Sequence, residues 1–129
     1  MDEGEIRRQI WDIEARISDC EAKIGRLRPV KELLAAKKTA FKSFRESDKQ
    51  IISASYHWTG ENRDDFRRMG NELLSEEDQY YSQGLDAIHD AVNTKITELE
   101  NRIANEVPVL GSLYAMLNDL ANTVENAFN

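Results

Sequence analysis

The chain has 129 residues and a formal net charge of −7, with 40% hydrophobic residues, two prolines and six glycines. Average usage would give roughly 6 Pro and 9 Gly, so collagen-like, low-complexity and turn-rich β-sandwich chains are excluded. The hydrophobic share argues against outright disorder, and the length suits one domain.

The charge is unevenly divided. Residues 1–57 hold 12 Lys/Arg and 10 Asp/Glu, a net of +2, while residues 58–129 hold 5 and 14, a net of −9. Opposite signs favour the two halves folding back on each other, or pairing with a complementary chain. The acidic total does not suit a general nucleic-acid binder. The N-terminus, Met1-Asp2-Glu3-Gly4-Glu5, lacks a basic region followed by an apolar run, so no cleaved signal peptide is expected and synthesis is expected in the cytoplasm. No run reaches about 18 apolar residues, so no stable membrane insertion is expected.

The first predicted element is a long helix. Ile6, Ile10, Ile13, Ile17, Cys20, Ile24 and Leu27 follow steps of four and three, an a/d heptad stripe with charged residues on the other face. Cys20, the single cysteine, falls on that stripe and reads as a small core residue. After Leu27 the apolar pattern predicts a slip of register. Val30, Leu33, Leu34, Phe41 and Phe44 continue on a shifted phase, and Pro29 sits at the slip. An interior proline removes a helix hydrogen bond, so a kink is expected near residue 29. The helix is expected over residues 3–53, about 75 Å at 1.5 Å per residue.

Residues 54–62 are the main punctuation, with Trp58-Thr59-Gly60 among small and polar neighbours. A second helix over about 63–105 is expected from the stripe Phe66, Met69, Leu73, Tyr80 or Tyr81, Leu85, Ile88, Val92, Ile96, Leu99, Ile103 and Val107. Extra steps of four near 77–81 and 92–96 resemble coiled-coil stutters. Pro108 and Gly111 mark a second punctuation, after which Leu110, Leu113, Leu117, Leu120, Val124 and Phe128 predict a C-terminal helix over about 109–127. The expected architecture is all-α: one domain over 1–129, an elongated antiparallel hairpin with Trp-x-Gly at its turn and a helical extension.

Catalytic chemistry is sparse. Asp86-x-x-His89 resembles half of a di-metal carboxylate signature, but the second pair is missing. There is no phosphate loop, nucleophile elbow or Cys-x-x-Cys. No enzyme activity, metal or cofactor is expected. Residues 26–49 hold 8 Lys/Arg against 3 acids. Such a stretch suits an anionic membrane or nucleic acid, but neutralising the acidic second half is the simpler expectation.

Five apolar doublets stand out: Ile10-Trp11, Leu33-Leu34, Ile51-Ile52, Leu73-Leu74 and Tyr80-Tyr81. Neighbours differ by about 100° around a helix, so each doublet covers two faces. A two-helix seam cannot bury both, and large exposed apolar patches mark interaction sites. The stripe residues put forward for partner contact are Ile10, Ile13, Ile17, Phe41, Phe44, Phe66, Leu73, Tyr81, Leu85, Ile88, Leu113 and Leu117.

Two long helices around Trp58-Thr59-Gly60 resemble the WXG superfamily of type VII secretion. The isoleucine-rich first helix and the following Phe66 look most like the LXG-associated helical proteins of type VIIb systems. That resemblance implies a non-enzymatic partner or targeting chaperone. It would bind the helical N-terminal domain of an LXG toxin, with a second small helical partner, and leave the cell with the toxin. Trp58 and Gly60 would form the turn motif: glycine permits a tight backbone, and tryptophan supplies a large apolar contact. The family's export signal, an aromatic followed four positions later by an acid, does not occur after the turn. Tyr114 leads to Asn118, and the strict match, Phe44 to Asp48, lies before the turn. The alternative reading is a homodimeric helical bundle without a toxin.

Overall fold

A computed structural model describes residues 1–54 and 61–128. Its elements are α1 (Glu3–Ala54), α2 (Glu61–Gln79), a π-helical segment (Tyr80–Asp86) and α3 (Ala87–Phe128). The described residues are helical from Glu3 onward, so the fold is all-α. The expected turn motif, Trp58 and Gly60, lies outside the described residues.

The start of α1 is set by Asp2. Its Oδ1 accepts a hydrogen bond from the Glu5 amide at 2.8 Å, and its carbonyl accepts one from Ile6. That side chain satisfies an otherwise orphan donor of the first turn. Glu3 and Glu5 lie where the helix dipole favours negative charge.

The chain divides into two compact units. Residues 1–28 and 94–129 form the first, and residues 29–93 the second.

In the first unit, Ile6, Ile10, Ile13 and Leu113 make the buried cluster, with Ile17, Leu110, Leu117 and Leu120 packed against it. Cys20, Ile24, Ile96 and Leu99 are also buried. The heptad stripe read from Ile6 to Leu27 is therefore the inward face. Cross-helix partners descend along α3 as they ascend along α1: Glu14 accepts from Tyr114, Arg16 pairs with Glu106 and Arg28 with Glu100. The two segments run antiparallel. The expected break at 105–109 is absent, because α3 is one helix with Pro108 inside it. An interior proline costs about 3 kcal/mol. Burying an aliphatic side chain contributes about 1.5–3 kcal/mol. Leu110, Leu113, Leu117 and Leu120, all beyond Pro108, outweigh the break.

In the second unit, the inward residues of α1 are Lys31, Leu34, Lys38, Phe41, Arg45, Asp48 and Ile52. Their steps of three and four continue from Leu27 without a slip, and α1 runs unbroken through Pro29. The expected phase shift arose because Lys31, Lys38, Arg45 and Asp48 occupy inward positions. The nearby apolar residues Val30, Leu33 and Phe44 face outward. From the other side come Phe66, Gly70, Leu74, Glu77, Tyr81 and Leu85. Steps of four from Glu77 through Tyr81 to Leu85 drift around an α-helix. The π-helical turn over Tyr80–Asp86 is wider and holds them on one side. The irregularity expected near 77–81 is thus real and placed slightly later, whereas 92–96 is regular helix.

Candidate partner-binding surface

The doublets resolve as helix geometry requires. Ile10, Leu34, Ile52, Leu74 and Tyr81 turn inward, while Trp11 (70% exposed), Leu33, Ile51 (56%), Leu73 and Tyr80 turn outward. Outward apolar residues therefore occur on each unit.

The residues put forward for partner contact divide by burial. Ile10, Ile13, Leu85 and Leu113 are buried within the chain itself. Ile17, Phe41, Phe66, Tyr81 and Leu117 are half-buried. Phe44, Leu73 and Ile88 are exposed. Phe41 is held in an aromatic group, 5.1 Å from Tyr80 and 6.1 Å from Tyr81 between ring centroids. Lys38 and Lys42 place their ammonium groups over the Tyr81 ring, at 5.7 and 5.2 Å from its centre. Such contacts favour a cation on an aromatic face.

Charge follows the division seen in the sequence. All four long-range ion pairs among the described residues have the cation on α1: Arg16–Glu106, Arg28–Glu100, Lys38–Asp86 and Arg45–Asp78. Three of those cations belong to the basic stretch 26–49, and each pairs with an acid of its own unit. Asp86, the acid of Asp86-x-x-His89, lies 2.6 Å from Lys38 Nζ. This contact holds the carboxyl below its usual range and raises the Lys38 ammonium. Among the described residues no group of three or more His, Cys, Asp or Glu is placed to hold a metal ion. No described helix is long and apolar enough to cross a membrane.

Glu77 is the buried exception, 7% exposed with Oε2 lacking a hydrogen-bond partner. Burial first, then Asp48 beside it, pushes its carboxyl up to about 7, with Arg45 opposing. Protonation gives Glu77 an O–H that Asp48 can accept, so the pair is satisfied only when it holds a proton.

Two open grooves border these helices. In the first unit a groove of about 770 Å³ is lined by Ile17, Cys20, Ile103 and Val109 among mixed charges, with Arg16 and Glu106 both at its wall. In the second unit a groove of about 450 Å³ is lined by Ile51, Ile52, Phe66, Met69, Gly70 and Leu73, with Asp48, Glu72 and Glu76 around it. Sequence periodicity placed Met69 and Leu73 on the inward stripe. The residue that takes the inward position is Gly70, which an apolar template passes over. A glycine flanked by apolar residues inside a helical pattern is the signal that could have found it.

The YwqH-like family matches residues 3–122. No curated protein and no solved structure matches.

Proposed function

The chain belongs to the YwqH-like family, and on that premise we propose that it is a non-enzymatic helical partner and targeting chaperone of an LXG-type toxin in a type VIIb secretion system. YwqH-like proteins are associated with LXG and type VIIb systems. The observation that carries the reading is the set of outward doublet residues. Trp11, Leu33, Ile51 and Leu73 are large and exposed, while Tyr80 keeps one face on Phe41 and exposes the rest. Exposed apolar surface of that kind is stabilised by a second helical chain.

In this reading Trp58-Thr59-Gly60 closes a WXG-like turn, and the toxin's helical N-terminal domain covers the outward residues. The chain travels with the toxin, whose own segment or a further small helical subunit supplies the export signal. No catalytic group, metal or cofactor takes part.

Co-expression with any LXG-domain protein encoded in the same gene neighbourhood tests the reading. A stable complex should co-purify, and Trp11→Glu with Leu33→Glu should release the toxin while leaving the helical circular dichroism spectrum intact. No complex with any such neighbour sinks the proposal. A monodisperse homodimer that ignores the toxin would support the structural-bundle alternative.

A further inference from the structure

The groove of the second unit is the best-defined surface for an occupant of stated chemistry. It exists because α1 and α2 meet at a glycine. A Cβ on Gly70 would lie 2.7 Å from Ile52 Cγ1, closer than real side chains approach. The close approach buries Ile52 and leaves Ile51 and Met69 (65% exposed) facing out along the groove. An open apolar groove along a helix pair suits an apolar helix face, whose residues at i, i+3, i+4 and i+7 supply the anchors.

Charge selects among such helices. Asp48, Glu72 and Glu76 line the groove, and among the described residues no Lys or Arg does. Four acids elsewhere that face α1 are answered by a cation, Asp78 by Arg45, Asp86 by Lys38, Glu100 by Arg28 and Glu106 by Arg16, while Glu77 is buried beside Asp48 and out of the groove. Glu72 and Glu76 form no ion pair among the described residues. They are four residues apart on one helix, where like charges repel. An incoming cation would relieve that repulsion as well as gain its own attraction.

We infer that this groove docks an amphipathic helix whose apolar stripe is flanked by Lys or Arg. The basic heads reach Glu72 and Glu76 while their methylene stems cover the apolar rim. The occupant is a separate chain. The basic stretch of a second copy is less suited, since Arg28, Lys38 and Arg45 of its eight cations already hold ion pairs, Lys42 lies over Tyr81 and Lys31 takes an inward position. The inference deepens the toxin-partner reading and rests on it for the existence of a helical partner.

Two synthetic helical peptides with one shared leucine stripe test it, one flanked by Lys and the other by Glu. Their binding to the full chain is followed by fluorescence anisotropy. The Lys-flanked peptide should bind at least about tenfold tighter, with affinity falling as salt rises. Met69→Glu should weaken it by about tenfold or more. Glu72→Lys with Glu76→Lys should reverse the preference. These three residues are exposed, and helical melts of each variant check the fold. Equal binding of the two peptides, or a preference unchanged by the charge reversal, overturns the inference. So does a homodimer in sedimentation that Met69→Glu dissociates, because a second copy then owns the groove. A toxin complex untouched by Met69→Glu removes the groove and leaves the toxin-partner reading standing. A peptide preference without any toxin complex removes that reading and leaves the groove.

Discussion

The two units use one periodicity with two chemistries. In the first, α1 turns Ile6, Ile10, Ile13, Ile17, Cys20, Ile24 and Leu27 inward; in the second it turns Lys31, Leu34, Lys38, Phe41, Arg45, Asp48 and Ile52 inward. The spacing is the same, so the difference lies in what desolvation costs. Aliphatic burial is favourable without any partner. A charged side chain at an inward position needs a counter-charge or an aromatic face, and here Asp86 and Tyr81 supply them to Lys38 and Asp78 to Arg45. Stability should therefore be concentrated in the first unit, and pH and salt should act mainly on the second.

The largest effect tests the first half of that contrast. Leu99 is 1% exposed. Leu99→Ala should lower unfolding free energy by about 2–5 kcal/mol, the range for truncating a buried leucine. Urea denaturation followed by circular dichroism measures it. A loss below about 1 kcal/mol would show that burial in the first unit carries less than its extent implies.

Gly70 gives the next effect and a change of sign. Alanine is favoured over glycine in a helix by about 1 kcal/mol. The added Cβ meets Ile52 Cγ1, Cδ1 and Cγ2, which belong to a stiff β-branched side chain. Overpacking costs about 1–3 kcal/mol, so Gly70→Ala should be destabilising on balance. In an Ile52→Ala background all three contacting atoms are gone. There the same substitution should become stabilising by up to about 1 kcal/mol. Four urea curves close the cycle, and equal effects in both backgrounds would deny the close approach.

What was legible in the sequence follows the same contrast. The seven-residue stripe from Ile6 to Leu27 was readable because every inward position is apolar. So was the outward half of each doublet, because 100° per residue is a property of the helix and not of packing. The second unit was misread where inward positions are charged or empty. Lys31, Lys38, Arg45 and Asp48 mimicked a slip, and Gly70 and Glu77 sent the stripe to Met69 and Leu73. The continuity of α3 through Pro108 was also hidden. Proline's local cost is visible in the sequence, whereas the packing beyond it that offsets this cost is tertiary. The groove with Glu72 and Glu76 depends on which acids lack a cross-helix cation, and no spacing rule reports that.

Glu77 offers a smaller effect that sharpens the role of the second unit. Its carboxyl ordinarily titrates at 4.5 and is raised to about 7 in the fold. The folded state thus binds the proton more tightly between those values. Its contribution to stability is full below about 4.5 and is lost as pH rises through about 7. Asp48 and Arg45 from α1 and Asp78 beside it face the group. Glu77→Gln should flatten this slope and stabilise the chain at pH 8 by about 1 kcal/mol, by removing a buried charge while keeping a donor for Asp48. Urea midpoints across pH check it. A parallel slope in wild type and variant would place the titration elsewhere.

The smallest effect compares one ion pair from each unit. Arg28–Glu100 is 3.5 Å long, with both side chains more than half exposed. Exposed pairs of that kind couple by about 0.2–1 kcal/mol, and salt screens them. Lys38–Asp86 is shorter at 2.6 Å, and its lysine side chain is only 18% exposed beneath the aromatic group. Water and salt reach that lysine poorly, so its coupling should be the larger and the less sensitive to ionic strength. Double-mutant cycles with Arg28→Met/Glu100→Gln and Lys38→Met/Asp86→Asn, run at low and high salt, separate the two. Equal coupling with equal screening would mean that inward lysines in the second unit stay as wet as surface ones. The apolar stems of Lys31 and Lys38, rather than their charges, would then be what fits them to the seam.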